Sequence, residues 1–274
     1  MIRSEERTQR MTDPHDSRRV RRRGSRAWAL AGLTAAAALT TAGDAAALEF
    51  GTPARQSPYR SAQNFAIEFR FSPYRPAIDD EPGLNGTPFK DRFGDGARLM
   101  MGLELDWQTL RIPYVGTIGP GLGVGIVGMS RDALTREDPP RPSGDEYSLD
   151  IYPFYLSAVL RADTFWRGLG VPFVPYGKLG LGYGRWRASN SLGTSETSGS
   201  KGKGGSFGTH LALGVALALD ALDQGAARNA DNALGINGTY FFAEYYWLNL
   251  NNFGSGDALY VGTNTYALGL AFEF

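Results

Sequence analysis

Charged residues recur at every second position inside otherwise apolar stretches of this 274-residue chain. Glu68 and Arg70 alternate with Ile67, Phe69 and Phe71, and Glu104 and Asp106 with Leu103, Leu105 and Trp107. Arg161, Lys178, Glu244 and Glu273 hold the equivalent place in later stretches. Side chains of both signs gathered in one narrow space can pair, and a set of pairs that rearranges can gate a small water path. Leaving such charges unpaired costs several kcal/mol each, so a filled, ion-paired interior is the leading expectation and gating the alternative.

Other residues with chemistry to offer point less far. His210 is the sole histidine beyond residue 47. A hydrolase or acyltransferase would need it beside a nucleophile, with a carboxylate to orient the ring. Ser206 and Thr209 are close in sequence, but no placed carboxylate accompanies them, so the expectation is a hydrogen-bonded interior histidine and no catalysis. Asp79, Asp80 and Glu81 could receive a divalent ion, yet three successive carboxylates more often mark a solvated loop. The glycine-rich run GPGLGVGIVG at 119–128 lacks the lysine and the strand-to-helix setting of a phosphate loop. The chain has no cysteine, which excludes disulfides, thiolate metal sites and cysteine nucleophiles together. No cofactor is implied.

The N-terminus reads as an export signal. Arg18, Arg19, Arg21, Arg22, Arg23 and Arg26 precede the apolar run WALAGLTAAAAL and the small residues TAGDAAA, with an A-x-A site at Ala45 and Ala47. That run falls short of the about 20 apolar residues a spanning helix needs. The expected division is a signal peptide at 1–47, cleaved near Ala47, an N-terminal periplasmic segment at 48–62, and one domain at 63–274. Nine of the 28 Lys+Arg and five of the 28 Asp+Glu precede residue 48, leaving 19 and 23 and a net charge of −4. Such a balance gives no electrostatic footprint for nucleic acid.

What must position the charges is a set of strands, because side chains alternate between faces only there. Alternation recurs at 64–71, 98–107, 114–130, 148–163, 174–186, 207–220, 239–250 and 259–274, with a bulge or kink expected at Pro153. An even number of strands, each half apolar, predicts an all-β fold: an eight-stranded antiparallel up-and-down transmembrane β-barrel. An open sheet would leave backbone groups unpaired in lipid. A soluble barrel or sandwich should carry Lys, Glu and Thr on its second face, whereas here that face is Gly, Ala and Ser with scattered charges. Polar connections at 72–96, 131–146, 188–206 and 251–257 are expected outside the cell. Those after strands two and four are short turns, and 221–235 has the composition of a small helix or an elaborated turn. Trp107, Tyr114, Phe165, Trp166, Trp186, Tyr245, Tyr246 and Trp247 lie near strand ends, as interfacial girdles would.

The terminal TYALGLAFEF resembles the last strand of small Gram-negative outer-membrane β-barrel proteins of the OmpA/OmpX-type architecture, a myxobacterial branch among them. In that family the strand ends on a signal read by the barrel-assembly machinery, and Gly269, Phe272 and Phe274 fall on its positions. Ala267 stands where the family has a polar residue. The resemblance implies outer-membrane lipid, lipopolysaccharide, periplasmic chaperones and the assembly machinery as partners. It implies a structural or surface-contact role in the envelope, with a narrow pore for ions or small solutes second and a lipid-modifying enzyme third. Arg185 and Arg187 would then face lipopolysaccharide phosphates at the outer rim.

Overall fold

The computed structural model describes residues 48, 49, 64–134, 141–190, 193, 194, 196, 197, 200–255 and 258–274. The expected signal peptide at 1–47, and all but two residues of the segment 48–62, lie outside the described residues. Eight long strands make the domain: β1 Phe65–Tyr74, β2 Arg98–Trp107, β3 Gly116–Leu134, β4 Pro142–Arg161, β5 Phe173–Asn190, β6 Lys203–Ala218, β7 Gly238–Leu250 and β8 Thr263–Glu273. Each pairs antiparallel with its neighbour in sequence, and β8 pairs with β1, opposing Leu268 to Phe71 and Glu273 to Ala66. The sheet is therefore a closed eight-stranded antiparallel barrel, without a free edge around its girth. Backbone bonds from Asn64 and Phe65 to the Phe274 carbonyl, at 2.8 and 3.2 Å, finish the seam.

The period-two pattern sorts the side chains. Leu99, Leu122, Leu179 and Leu181 point outward and remain 59–65 % exposed, with Phe69, Phe71, Met101, Leu156 and Leu213 beside them. An apolar surface so continuous is stable only against lipid. The alternate positions point inward and are buried, Glu68, Arg70, Glu104 and Lys178 among them. That inversion removes the soluble-barrel alternative.

Two local expectations are corrected. Pro153 produces no bulge: the β3–β4 ladder pauses where Tyr152 and Pro153 face Gly125 and Ile126, then resumes with Val127 opposite Ile151 in the same register. Proline supplies no N–H to the ladder, so the pairing lapses there without a shift of register. The register shift falls instead between Asp132 and Leu134. Secondly, much of the sequence expected as loops at 131–146 and 188–206 is strand, since β3 to β6 run on for 19, 20, 18 and 16 residues.

The opposite end of the barrel, the turn end, carries two short connections and a longer one that is built around a helix. Leu110–Ile112 doubles back on the start of β3 through Tyr114 at φ 64°, and also pairs in parallel with Leu48 and Glu49. Helix Thr164–Leu169 links β4 to β5. The 221–235 connection is the helix Gln224–Leu234, capped at its start by the Asp223 carboxylate, which accepts from the backbone N–H of Gly225 and Ala226 at 2.9 Å. Gly235 ends it with φ 70°, a left-handed conformation that glycine adopts without cost.

Candidate functional site

The barrel interior brings the eight charged residues together. Glu68 and Arg70 come from β1, Glu104 and Asp106 from β2, Arg161 from β4, Lys178 from β5, Glu244 from β7 and Glu273 from β8. Lys178 Nζ sits 2.7 Å from Glu68 Oε2 and 2.9 Å from Glu104 Oε2, with Glu244 Oε2 at 3.7 Å. Arg70 bridges Glu104 and Glu244 and lies 3.3 Å from Glu68. Arg161 joins Glu68 at 3.0 Å to Glu273 at 3.1 Å.

Neutral donors complete most of the carboxylates. Tyr155 Oη donates to Glu104 at 2.9 Å, Tyr176 to Glu244 at 3.0 Å and Tyr240 to Glu273 at 2.9 Å. Gln108 Nε2 donates to Glu273 at 2.8 Å. Sequence reasoning overlooked these four, although Tyr155, Tyr176 and Tyr240 all occupy inward positions of their strands. Each phenol spans the distance a carboxylate needs, and each ring also lies near a cation. The guanidinium carbon of Arg70 is 5.5 Å from the Tyr155 ring, and that of Arg161 is 5.8 Å from Tyr176. Buried pairs hold when the remaining lone pairs are satisfied in this way.

Apolar layers enclose the charges, where a Gly, Ala and Ser lining was expected. Towards the loop end Met100, Val127, Met129, Leu149, Ile151, Leu248, Leu250 and Val261 fill the bore with Tyr74. Ile78 and Phe89 of the first loop cover them. Towards the turn end Val174, Tyr176, Tyr240 and Phe242 close the section, with Trp166 against them. The interior is thus a polar disc between two greasy ones.

His210 belongs to the disc and not to a triad. Its Nδ1 shares a 2.7 Å hydrogen bond with Ser157 Oγ, and its ring stacks on Tyr155 at 4.1 Å between centroids. Nε2 has no hydrogen-bond partner among the described residues, so none of their carboxylates orients the ring. The sequence neighbours serve elsewhere: Ser206 donates to the Leu259 carbonyl at 2.6 Å, and Thr209 faces outward. The acidic loop is also committed. Asp79 accepts from the backbone N–H of Phe89 at 2.8 Å and Lys90 at 3.1 Å, holding the start of the helix Pro88–Phe93. In the same loop Lys90 Nζ lies 2.8 Å from Asp95, a hydrogen bond that raises the lysine above its ordinary pKa.

The aromatic residues divide. Trp107 and Tyr245 stay outward and about two-fifths exposed, as a girdle requires. Tyr246 instead turns inward, 2.9 Å from the hydroxyl of Ser72. Trp186 packs on the loop-end core, and Trp166 rides on the helix Thr164–Leu169. Arg185 and Arg187 are exposed on the outward side of β5, where Arg187 stands opposite Lys203 of β6. Gly269 opposes Phe242 of β7 and Arg70 of β1, Phe272 packs edge-on to Phe69 at 6.2 Å, and Phe274 sits at the seam.

No family model matches the chain, and no curated protein does. Among solved structures it is similar to Ail, the attachment invasion locus protein of Yersinia pestis, in complex with the heparin analogue sucrose octasulfate. The identity is 14 %, over 77 % of this chain and 97 % of that one, with a TM-score of 0.37. It is also similar to the outer membrane protein OprG from Pseudomonas aeruginosa, at 13 % identity over 78 % and 97 % with a TM-score of 0.42. Neisserial surface protein A gives 12 %, 78 % and 98 %, and 0.40. The architecture itself rests on this chain's own pairing: a closed, eight-stranded, antiparallel β-barrel of the small outer-membrane kind.

Proposed function

We propose that the chain is an outer-membrane barrel of a Gram-negative envelope whose role is structural and surface-facing, exercised at its loop end. One observation carries the reading. A tilted strand crosses a bilayer in about 9–11 residues, yet β3 to β6 have 16–20. The excess stands beyond the apolar belt as a polar four-stranded wall, bearing Ser130, Arg131 and Asp132 on β3 and Asp145, Glu146 and Ser148 on β4. The first loop braces it, with Arg92 of the helix Pro88–Phe93 placed 5.3 Å from the Tyr147 ring. A rigid wall presents a fixed surface to partners at less entropic cost than a free loop.

The filled bore supports structure over conduction, since three stacked layers of side chains occupy it. The same reading has the signal peptide removed near Ala47, delivery by periplasmic chaperones, and recognition of Gly269, Phe272 and Phe274 by the barrel-assembly machinery. Lipopolysaccharide phosphates meet Arg185 and Arg187. Single-channel recording of the mature protein refolded into planar bilayers, beside its heat-modifiable gel mobility, is the test. A folded, silent protein supports the proposal. Discrete steps that change with Lys178→Met or Glu104→Gln would replace it with a narrow pore. For the enzymatic alternative, lipid A from cells carrying His210→Ala should match the wild type.

A further inference from the structure

Asp106 is the exception in the polar disc. The four glutamates each contact a cation and accept hydrogen bonds, whereas Asp106, 2 % exposed, accepts none at either oxygen from the described residues. Oε1 of Glu104, the oxygen not engaged by Lys178 and Arg70, also accepts none. One oxygen each from Glu68, Glu104 and Asp106 lie within 4.8 Å of one another. Gly121 of β3 leaves them their space, because a Cβ there would stand 2.5 Å from Asp106 Oδ1 and 3.1 Å from Glu104 Oε1.

The charge inventory points the same way independently. Among the described residues Arg70, Arg161 and Lys178 are the buried cations, against the five carboxylates of Glu68, Glu104, Asp106, Glu244 and Glu273 in the disc. Adding the half-buried Arg111 and Arg167, with the Asp163 they share, leaves five against six. His210, Tyr155, Tyr176, Tyr240 and Tyr246 are the other titratable groups around the disc among the described residues and supply no further fixed positive charge. An ionised carboxylate enclosed without a partner is strongly disfavoured, so Asp106 either holds a proton or has a cation beside it, and the unpartnered oxygens gathered around it give a cation a place.

We propose that Asp106 and Glu104 Oε1, with Glu68 behind them, bind a hard metal cation inside the barrel. The free donors are all oxygens, the set that suits calcium, magnesium or sodium over softer metals. Asp106 is the last inward residue of β2 before the turn end, and Gln108, the next inward residue along the chain, has an Oε1 that also accepts no bond among the described residues. The site is independent of what the wall contacts.

The test uses the mature protein refolded in micelles and stripped with chelator. Equilibrium dialysis against calcium, magnesium and sodium chlorides, with choline chloride holding ionic strength, reads retained ion directly. Thermal unfolding, followed by gel mobility, reads stabilisation. The expected result is one retained ion per chain, a midpoint that rises saturably with that cation, and loss of both in Asp106→Asn. Exposed loop carboxylates such as Asp80 can also attract ions, but that binding survives in Asp106→Asn. Retention of no ion by the wild type, or the same retention and shift in Asp106→Asn, overturns the proposal. Should Asp106→Asn fail to fold, Glu104→Gln and the wild-type dialysis decide.

Discussion

Lys178 Nζ stands 2.7 Å from Glu68 Oε2, tying β5 to β1 across the full width of the barrel. The same ammonium serves Glu104 and lies near Glu244, so one side chain holds three carboxylates that would otherwise repel one another. Lys178→Met should therefore cost about 3–5 kcal/mol, the range for breaking a buried pair from one side. Urea unfolding in lipid vesicles measures it. Lys178→Met combined with Glu104→Gln should be less harmful than the two single losses added, because the second change removes a carboxylate the first had stranded.

Gly123 is the floor on which Tyr155 lies. A Cβ at this glycine would overlap Cζ, Cε2 and the hydroxyl of Tyr155, whose ring stacks on His210 at 4.1 Å and whose hydroxyl donates to Glu104 at 2.9 Å. Overpacking costs about 1–3 kcal/mol, and a lost bond to a charged acceptor about 1.5–3. Gly123→Ala should thus lower unfolding free energy by about 2.5–6 kcal/mol in the same assay. Gly128→Ala is the control, for its Cβ would meet only Asp150 Oδ1 at 3.1 Å on the outward side.

These two glycines and this lysine mark how far the sequence could be read. Alternation fixes which face each of Glu68, Lys178 and Glu244 occupies, because the strand period is two and a shift of one residue would drive charges into lipid. Hence the fold and the membership of the polar disc were legible. Partnership was not: Lys178 meets Glu68 110 positions away, through a register that depends on the tilt of all eight strands at once. The apolar layers were hidden for a different reason. Met100, Ile151 and Leu248 occupy inward positions among residues equally apolar, so nothing local separates a bore filler from a lipid contact. The wall was read as loop because its polar residues carry no amphipathic signal, and its ladder of backbone bonds leaves no trace in side-chain pattern.

Asp79 organises the first loop, and its removal should be felt there alone. Its two oxygens accept from Phe89 N and Lys90 N at 2.8 and 3.1 Å, satisfying donors at the open end of a six-residue helix. Losing such a cap costs about 0.5–2 kcal/mol locally. Asp79→Ala should speed limited proteolysis within 75–97 while the heat-modifiable mobility of the barrel stays as in the wild type. Equal protection of the loop in both proteins would remove Asp79 from that role.

Phe274 closes the barrel, and the proposed function gives it a second role, as an assembly signal, that one comparison can separate from the first. Its backbone closes the barrel, accepting from Asn64 N at 2.8 Å and donating to the Phe65 carbonyl at 2.9 Å. Those bonds need no particular side chain, whereas the proposed recognition by an assembly machinery would read the aromatic ring. Phe274→Ala should therefore refold in vitro with stability close to the wild type, within about 1 kcal/mol for a partly exposed terminal side chain. In cells the same variant should accumulate unassembled in the periplasm, seen as loss of the heat-modifiable form at the outer membrane. Deleting residue 274 removes the backbone bonds as well and should impair both. Were Phe274→Ala to assemble normally in cells, the terminal ring would be a packing group, and Gly269 and Phe272 would lose their claim to form a signal with it.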